Sequence, residues 1–119
     1  MRILVVEDDP ATGDALETLL QMEGHETDHA GDGHCALVRL QVLDFDAIVM
    51  DYMMPGLDGL AALKRIRDAG FDRLPVIMQT AVAGDDLDRL RAEVKYLGKV
   101  KLLAKPYQPA ELLRLLREP

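Results

Sequence analysis

Short apolar runs recur along the chain at Arg2–Val6, Glu26–Ala30, residues 47–50, residues 76–79 and Val100–Ala104. Their length and Val/Ile/Leu content suit strands buried on both faces. The second run is the most dilute, because Thr27 and Asp28 interrupt it. Between the runs the apolar residues change period. They recur every three or four positions, which lines one face of a helix. Pro10 starts the first such segment, Leu16, Leu19 and Leu20 form its stripe, and Gly24 stops it. Ala36, Leu37 and Leu40 mark the second. Leu60, Leu63 and Ile66 mark the third, which Gly70 ends. Leu87, Leu90, Val94 and Leu97 mark the fourth, with Gly98 as a stop, and Pro109 opens a fifth with Leu112, Leu113 and Leu116 inward.

The pattern is strand then helix, five times over. That alternation predicts an α/β fold: a parallel sheet with right-handed crossovers and helices on both faces. At 119 residues the chain has the size of one domain, and residues 1–119 are expected to form it. With 49% of residues apolar, a buried core is feasible. The net charge of −7 argues against non-specific binding to nucleic acid or an anionic membrane by this domain. The single cysteine, Cys35, allows no internal disulfide and reads as a small helix residue in a reducing compartment. Neither a signal peptide nor a membrane span is evident, so a cytoplasmic protein is expected.

Chemistry collects where the runs end. Asp8 and Asp9 follow the first run, Asp51 the third, Thr80 the fourth and Lys105 the fifth. In a parallel sheet the carboxyl ends of the strands share one edge, where ligands bind. Carboxylates converging there repel one another and are costly to bury unpaired. A hard divalent cation such as Mg²⁺ would relieve this and leave positions for phosphate oxygens. Lys105, braked by Pro106, could neutralise a carboxylate and clamp a phosphoryl oxygen. Thr80, beside the small Ala81, could donate a hydrogen bond to the same group. Asp58 reads as a helix cap.

Four segments together resemble a known family. Val5-Val6-Glu7-Asp8-Asp9-Pro10, Asp51-Tyr52-Met53-Met54-Pro55-Gly56-Leu57-Asp58-Gly59, Thr80-Ala81 and Lys105-Pro106-Tyr107 are similar to the receiver domain of bacterial two-component response regulators. The resemblance implies the flavodoxin-like strand order 2-1-3-4-5. It implies Asp51 as phosphoacceptor, Asp9 as direct Mg²⁺ ligand, Asp8 as an acid acting through water, and the Met53 backbone carbonyl as a further ligand. Thr80 becomes the switch hydroxyl and Lys105 the phosphate clamp. The implied partners are a sensor histidine kinase or phosphotransfer protein as donor, and an output partner, effector domain or second copy of the chain. The implied role is a signalling domain that assists its own phosphorylation and dephosphorylation, not an enzyme acting on an external substrate. Direct nucleic-acid or membrane binding is not expected.

Three departures from the family pattern stand out. Leu102 replaces an aromatic residue, the stretch from Thr80 to Lys105 is long, and Val100-Lys101 replaces an acidic pair. All fall on the surface through which most members signal. His25 and His29 read as solvated, Gly31-Asp32-Gly33 as a turn, and Arg89, Arg91, Lys95, Lys99 and Lys101 as a basic face. Two rival functions ask different things of these residues. A small Mg²⁺-dependent phosphatase with an aspartyl-phosphate intermediate would want a second acid where Met53 stands. A phosphorylation-independent adaptor would have no use for Asp9, Asp51, Thr80 and Lys105 together.

Overall fold

The computed structural model describes residues 1–118. Its elements run β1 (Arg2–Val6), α1 (Pro10–Met22), β2 (Glu26–Ala30), α2 (Gly33–Val42), β3 (Ala47–Asp51), α3 (Gly59–Asp68), β4 (Val76–Thr80), α4 (Gly84–Val94), β5 (Val100–Ala104) and α5 (Pro109–Arg117). The five strands form one parallel sheet in the order β2-β1-β3-β4-β5. The expected α/β fold and strand order are therefore both found. β3 and β4 each run one residue further than the apolar runs, so Asp51 and Thr80 are the last residues of their strands.

Strand alternation splits the core in two. Leu4, Val6, Ile48, Met50, Val76 and Met78 pack on one face with Ala36, Leu63, Ile66 and Leu90. Ile3, Val5, Ala47, Val49, Ile77 and Leu103 pack on the other with Leu16, Leu20 and Leu112. Full burial of such a side chain contributes roughly 1.5–3 kcal/mol. The dilution of the second run now has its reason: β2 is an edge strand, buried only at Ala30. Leu97 lies beyond the end of α4, where it packs against the core from a turn.

Asp9, Asp32 and Asp58 cap α1, α2 and α3 by accepting from the backbone N–H of Thr12, Cys35 and Ala61. α4 has no side-chain cap at Ala83, and it starts on Gly84 at φ +58°. Its far end is held instead by Arg67 of α3. That guanidinium donates to the carbonyls of Leu97 (2.6 Å), Phe71 (2.6 Å), Leu74 (2.7 Å) and Lys99 (3.1 Å). The expected basic face is only partly solvated: the Lys101 ammonium donates to the carbonyl of Leu115 at 3.0 Å, closing the end of α5. Among the described residues, no helix is long and apolar enough to cross a membrane.

Candidate functional site

The site is built by strand parity. Val5 faces α1 and α5, so Glu7, two residues on, continues that face past the strand end. Val49 does the same for Asp51, Ile77 for Gln79 and Leu103 for Lys105. The register pairs Val5 with Val49 and Asp51 with Gln79, which sets these residues side by side. α3 can approach this edge because residue 59 is glycine; a Cβ there would lie 2.7 Å from the Asp51 carbonyl oxygen.

Carboxylate oxygens of Glu7, Asp8 and Asp51 all lie within 4.8 Å of one another. Lys105 Nζ donates to Asp51 Oδ1 at 3.0 Å, and the Met53 N–H approaches the same oxygen at 3.4 Å. Asp51 is buried, its side chain 8% exposed, while that of Lys105 is 31% exposed. Burial drives the Glu7 carboxyl up to about 7, and the neighbouring Asp51 charge pushes the same way. The Asp9 N–H, donating to Glu7 Oε1, and the Lys105 charge offset part of that rise. Burial, more than the nearby charges, thus brings the Glu7 carboxyl to its titration midpoint near neutrality. A donor set of three hard oxygens with excess negative charge fits a divalent cation such as Mg²⁺.

Asp9, expected from sequence to be the direct metal ligand, lies apart from these three carboxylates. Its carboxylate is fully exposed and turned into α1, accepting from both Thr12 N and Thr12 Oγ1, which hold its pKa down. The acid beside Asp8 is Glu7 instead, because the chain leaves the sheet after Val6 and turns before residue 9. Parity from Val5 was the signal that pointed to Glu7. Thr80 is buried as expected; its Oγ1 accepts from the Val82 N–H at 3.0 Å, and its carbonyl accepts from the Lys105 N–H at 2.8 Å.

Two more neighbours were not read from sequence. Tyr107 Oη donates to Oε1 of the buried Gln79 at 2.9 Å, and burial raises the Tyr107 pKa with Glu7 and Asp51 nearby. His29 is not simply solvated. Its Nε2 lies 2.8 Å from the Glu7 carbonyl oxygen, with the ring set against Gly13. His25, by contrast, sits beside the N-terminal amine.

A family model described as the response regulator receiver domain matches residues 3–117. The transcriptional regulatory protein DltR of Streptococcus agalactiae is 35% identical over 117 residues, covering 98% of this chain and 50% of its own length. The DNA-binding response regulator MtrA of Mycolicibacterium smegmatis is also 35% identical over 117 residues, covering 98% of this chain and 49% of its own. This chain thus spans about half the length of these curated relatives. Among solved structures, the chemotaxis protein CheY4 of Vibrio cholerae superposes with a TM-score of 0.86 at 30% identity, covering 98% of this chain and 95% of the other. The receiver domain of a sensor histidine kinase from Pseudomonas aeruginosa, solved with a magnesium ion coordinated in its active site cleft, gives a TM-score of 0.82 at 35% identity, covering 98% and 93%.

Proposed function

The chain belongs to the response regulator receiver domain family, the phosphorylation-dependent signalling module of two-component systems, and on that footing we propose that Asp51 accepts a phosphoryl group from a phosphohistidine of a partner kinase. The observation that carries the assignment is the Lys105–Asp51 contact of 3.0 Å at the floor of a three-carboxylate cluster. Asp51 attacks phosphorus in line; the bond to the imidazole nitrogen breaks, and the imidazole leaves with the electron pair. Lys105 then moves its hydrogen bonds from the carboxylate to a phosphoryl oxygen. Thr80 exchanges its bond from the Val82 N–H for a donor bond to another oxygen. Glu7, Asp8 and Asp51, with the Met53 carbonyl, would hold Mg²⁺, which supplies charge neutralisation for the transferring group. Glu7 would serve as a ligand in its ionised form.

Water attacking phosphorus breaks the bond to Asp51, frees the carboxylate and releases phosphate, so the reading includes self-assisted dephosphorylation. The output we propose is altered binding of a partner, effector domain or second copy of the chain by the surface of α4, β5 and α5, with no direct nucleic-acid or membrane contact. A cytoplasmic location goes with a histidine kinase donor. Incubation with acetyl phosphate and Mg²⁺, read by intact mass, should add one phosphoryl group to the wild type and none to Asp51→Asn. Equal adducts on both would overturn the assignment.

A further inference from the structure

Glu7 is the first residue beyond β1, yet its backbone is held on both sides. Its N–H donates to the Ala30 carbonyl at 3.0 Å, a continuation of the sheet. Its carbonyl accepts from His29 Nε2 at 2.8 Å, which requires the tautomer with hydrogen on Nε2. That carbonyl belongs to the peptide joining Glu7 to Asp8. The orientation of this one peptide plane therefore sets where both carboxylates point. No strand ladder reaches it, so the histidine ring does what the sheet no longer does.

The ring has been given room for this. A Cβ on residue 13 would lie 2.9 Å from His29 Nε2 and 3.4 Å from two ring carbons. Glycine inside a helix is unfavourable, so its place on the buried face of α1 has a local reason. Alanine there would displace the ring, which is the movable end of a side chain, and break the hydrogen bond.

We propose that His29, seated against Gly13, is a positioning residue of the phosphorylation site that fixes the Glu7–Asp8 peptide and so aims the two carboxylates at the metal position. It acts through the backbone and touches neither metal nor phosphoryl group. The proposal rests on the reading of Glu7, Asp8 and Asp51 as metal-holding acids. Groups that orient metal ligands commonly change affinity by about 10–100-fold when removed.

The test is Mg²⁺ affinity by calorimetry on the whole chain at one pH, with thermal unfolding in chelator beside it. His29→Leu keeps bulk without a donor and should weaken Mg²⁺ about 10-fold. His29→Gln can still donate to the carbonyl and should stay within a few-fold of wild type. Gly13→Ala should weaken Mg²⁺ like His29→Leu although it favours the helix, and should add no further loss on top of His29→Ala. Asp8→Asn separates the two ideas. If Asp8→Asn weakens Mg²⁺ while His29→Leu binds like wild type, positioning is wrong and the metal assignment stands. If His29→Gln loses as much as His29→Leu, the ring only packs, and the proposal again fails. Unchanged Mg²⁺ binding in Asp8→Asn would overturn the metal assignment and this inference with it.

Discussion

Lys105 Nζ and Asp51 Oδ1 stand 3.0 Å apart, an ion pair between the ends of two strands with β4 between them. Because the ammonium already touches the acceptor oxygen, it needs little movement to meet the charge that develops there on transfer. Lys105→Ala should slow phosphorylation by acetyl phosphate roughly 100-fold at saturating Mg²⁺, measured as the growth of the mass adduct. A rate within two- or three-fold of wild type would remove Lys105 from the reaction.

Asp8 and Asp9 should behave in opposite ways. Asp8→Asn removes a cluster oxygen and should abolish most Mg²⁺ affinity. Asp9→Ala removes the cap of α1 and should cost about 1 kcal/mol of stability while leaving Mg²⁺ binding nearly intact. Calorimetry and urea unfolding of the two variants decide it; the reverse outcome would restore Asp9 as the ligand.

Glu7 ties stability to pH. Its folded-state pKa is about 7 against an ordinary 4.5, so the folded protein holds that proton more tightly than the unfolded chain. Below pH 4.5 the group is protonated in both states and costs nothing; as pH rises toward 7, only the unfolded chain ionises, and stability falls. In chelator, wild type should lose up to about 3 kcal/mol more than Glu7→Gln between pH 4.5 and 8. Urea unfolding at the two pH values measures this, and parallel profiles would show that folding leaves the Glu7 pKa where the unfolded chain has it.

The acyl phosphate should be long-lived. Met53 and Val82, two residues beyond Asp51 and Thr80, are both apolar and neither can orient a water for in-line attack. Met53→Asn and Met53→Glu should therefore lose phosphate faster than wild type, followed by mass after the donor is removed. Identical decay in all three would show that residue 53 does not gate water.

Leu102 has no ring to swing when Thr80 turns toward phosphate, so the change should appear in α4. Its first turn is uncapped, whereas Leu97 and Lys99 beyond its last turn are tied to Arg67. Hydrogen exchange with beryllofluoride and Mg²⁺ should alter protection in residues 82–90 and leave residues 97–99 unchanged. Changes confined to the loops at Asp8, Asp51 and Lys105 would sink this account.

Much of this is legible in the sequence, for particular reasons. Val/Ile/Leu runs of strand length leave few alternatives, and the helices declared their starts at Pro10 and Pro109. Asp51 and Lys105 stood out because each closes a run at a strand end. Adjacency misled at Glu7-Asp8-Asp9: three consecutive acids do not reveal where the chain turns, and it is the turn before residue 9 that separates the cluster acids Glu7 and Asp8 from the cap. His29 was hidden for a different reason. It lies on an edge strand whose polar residues look solvated, and its role depends on a glycine sixteen residues earlier. Arg67 looked like any basic residue on an amphipathic helix. What makes it structural is the set of carbonyls turned toward it by two loops, one just after α3 and one thirty residues on.

Those carbonyls bear on how the chain comes off the ribosome. Phe71 and Leu74 follow Arg67 closely, but Leu97 and Lys99 arrive about thirty residues later. A nascent chain that stops short of them gives Nε and Nη2 of Arg67 no carbonyl to meet, and water serves both nitrogens until the later loop arrives. Translation past Lys99 is the event that supplies those partners, so one side chain of α3 joins the loop that follows it to the loop after α4 only as the last strand is being made.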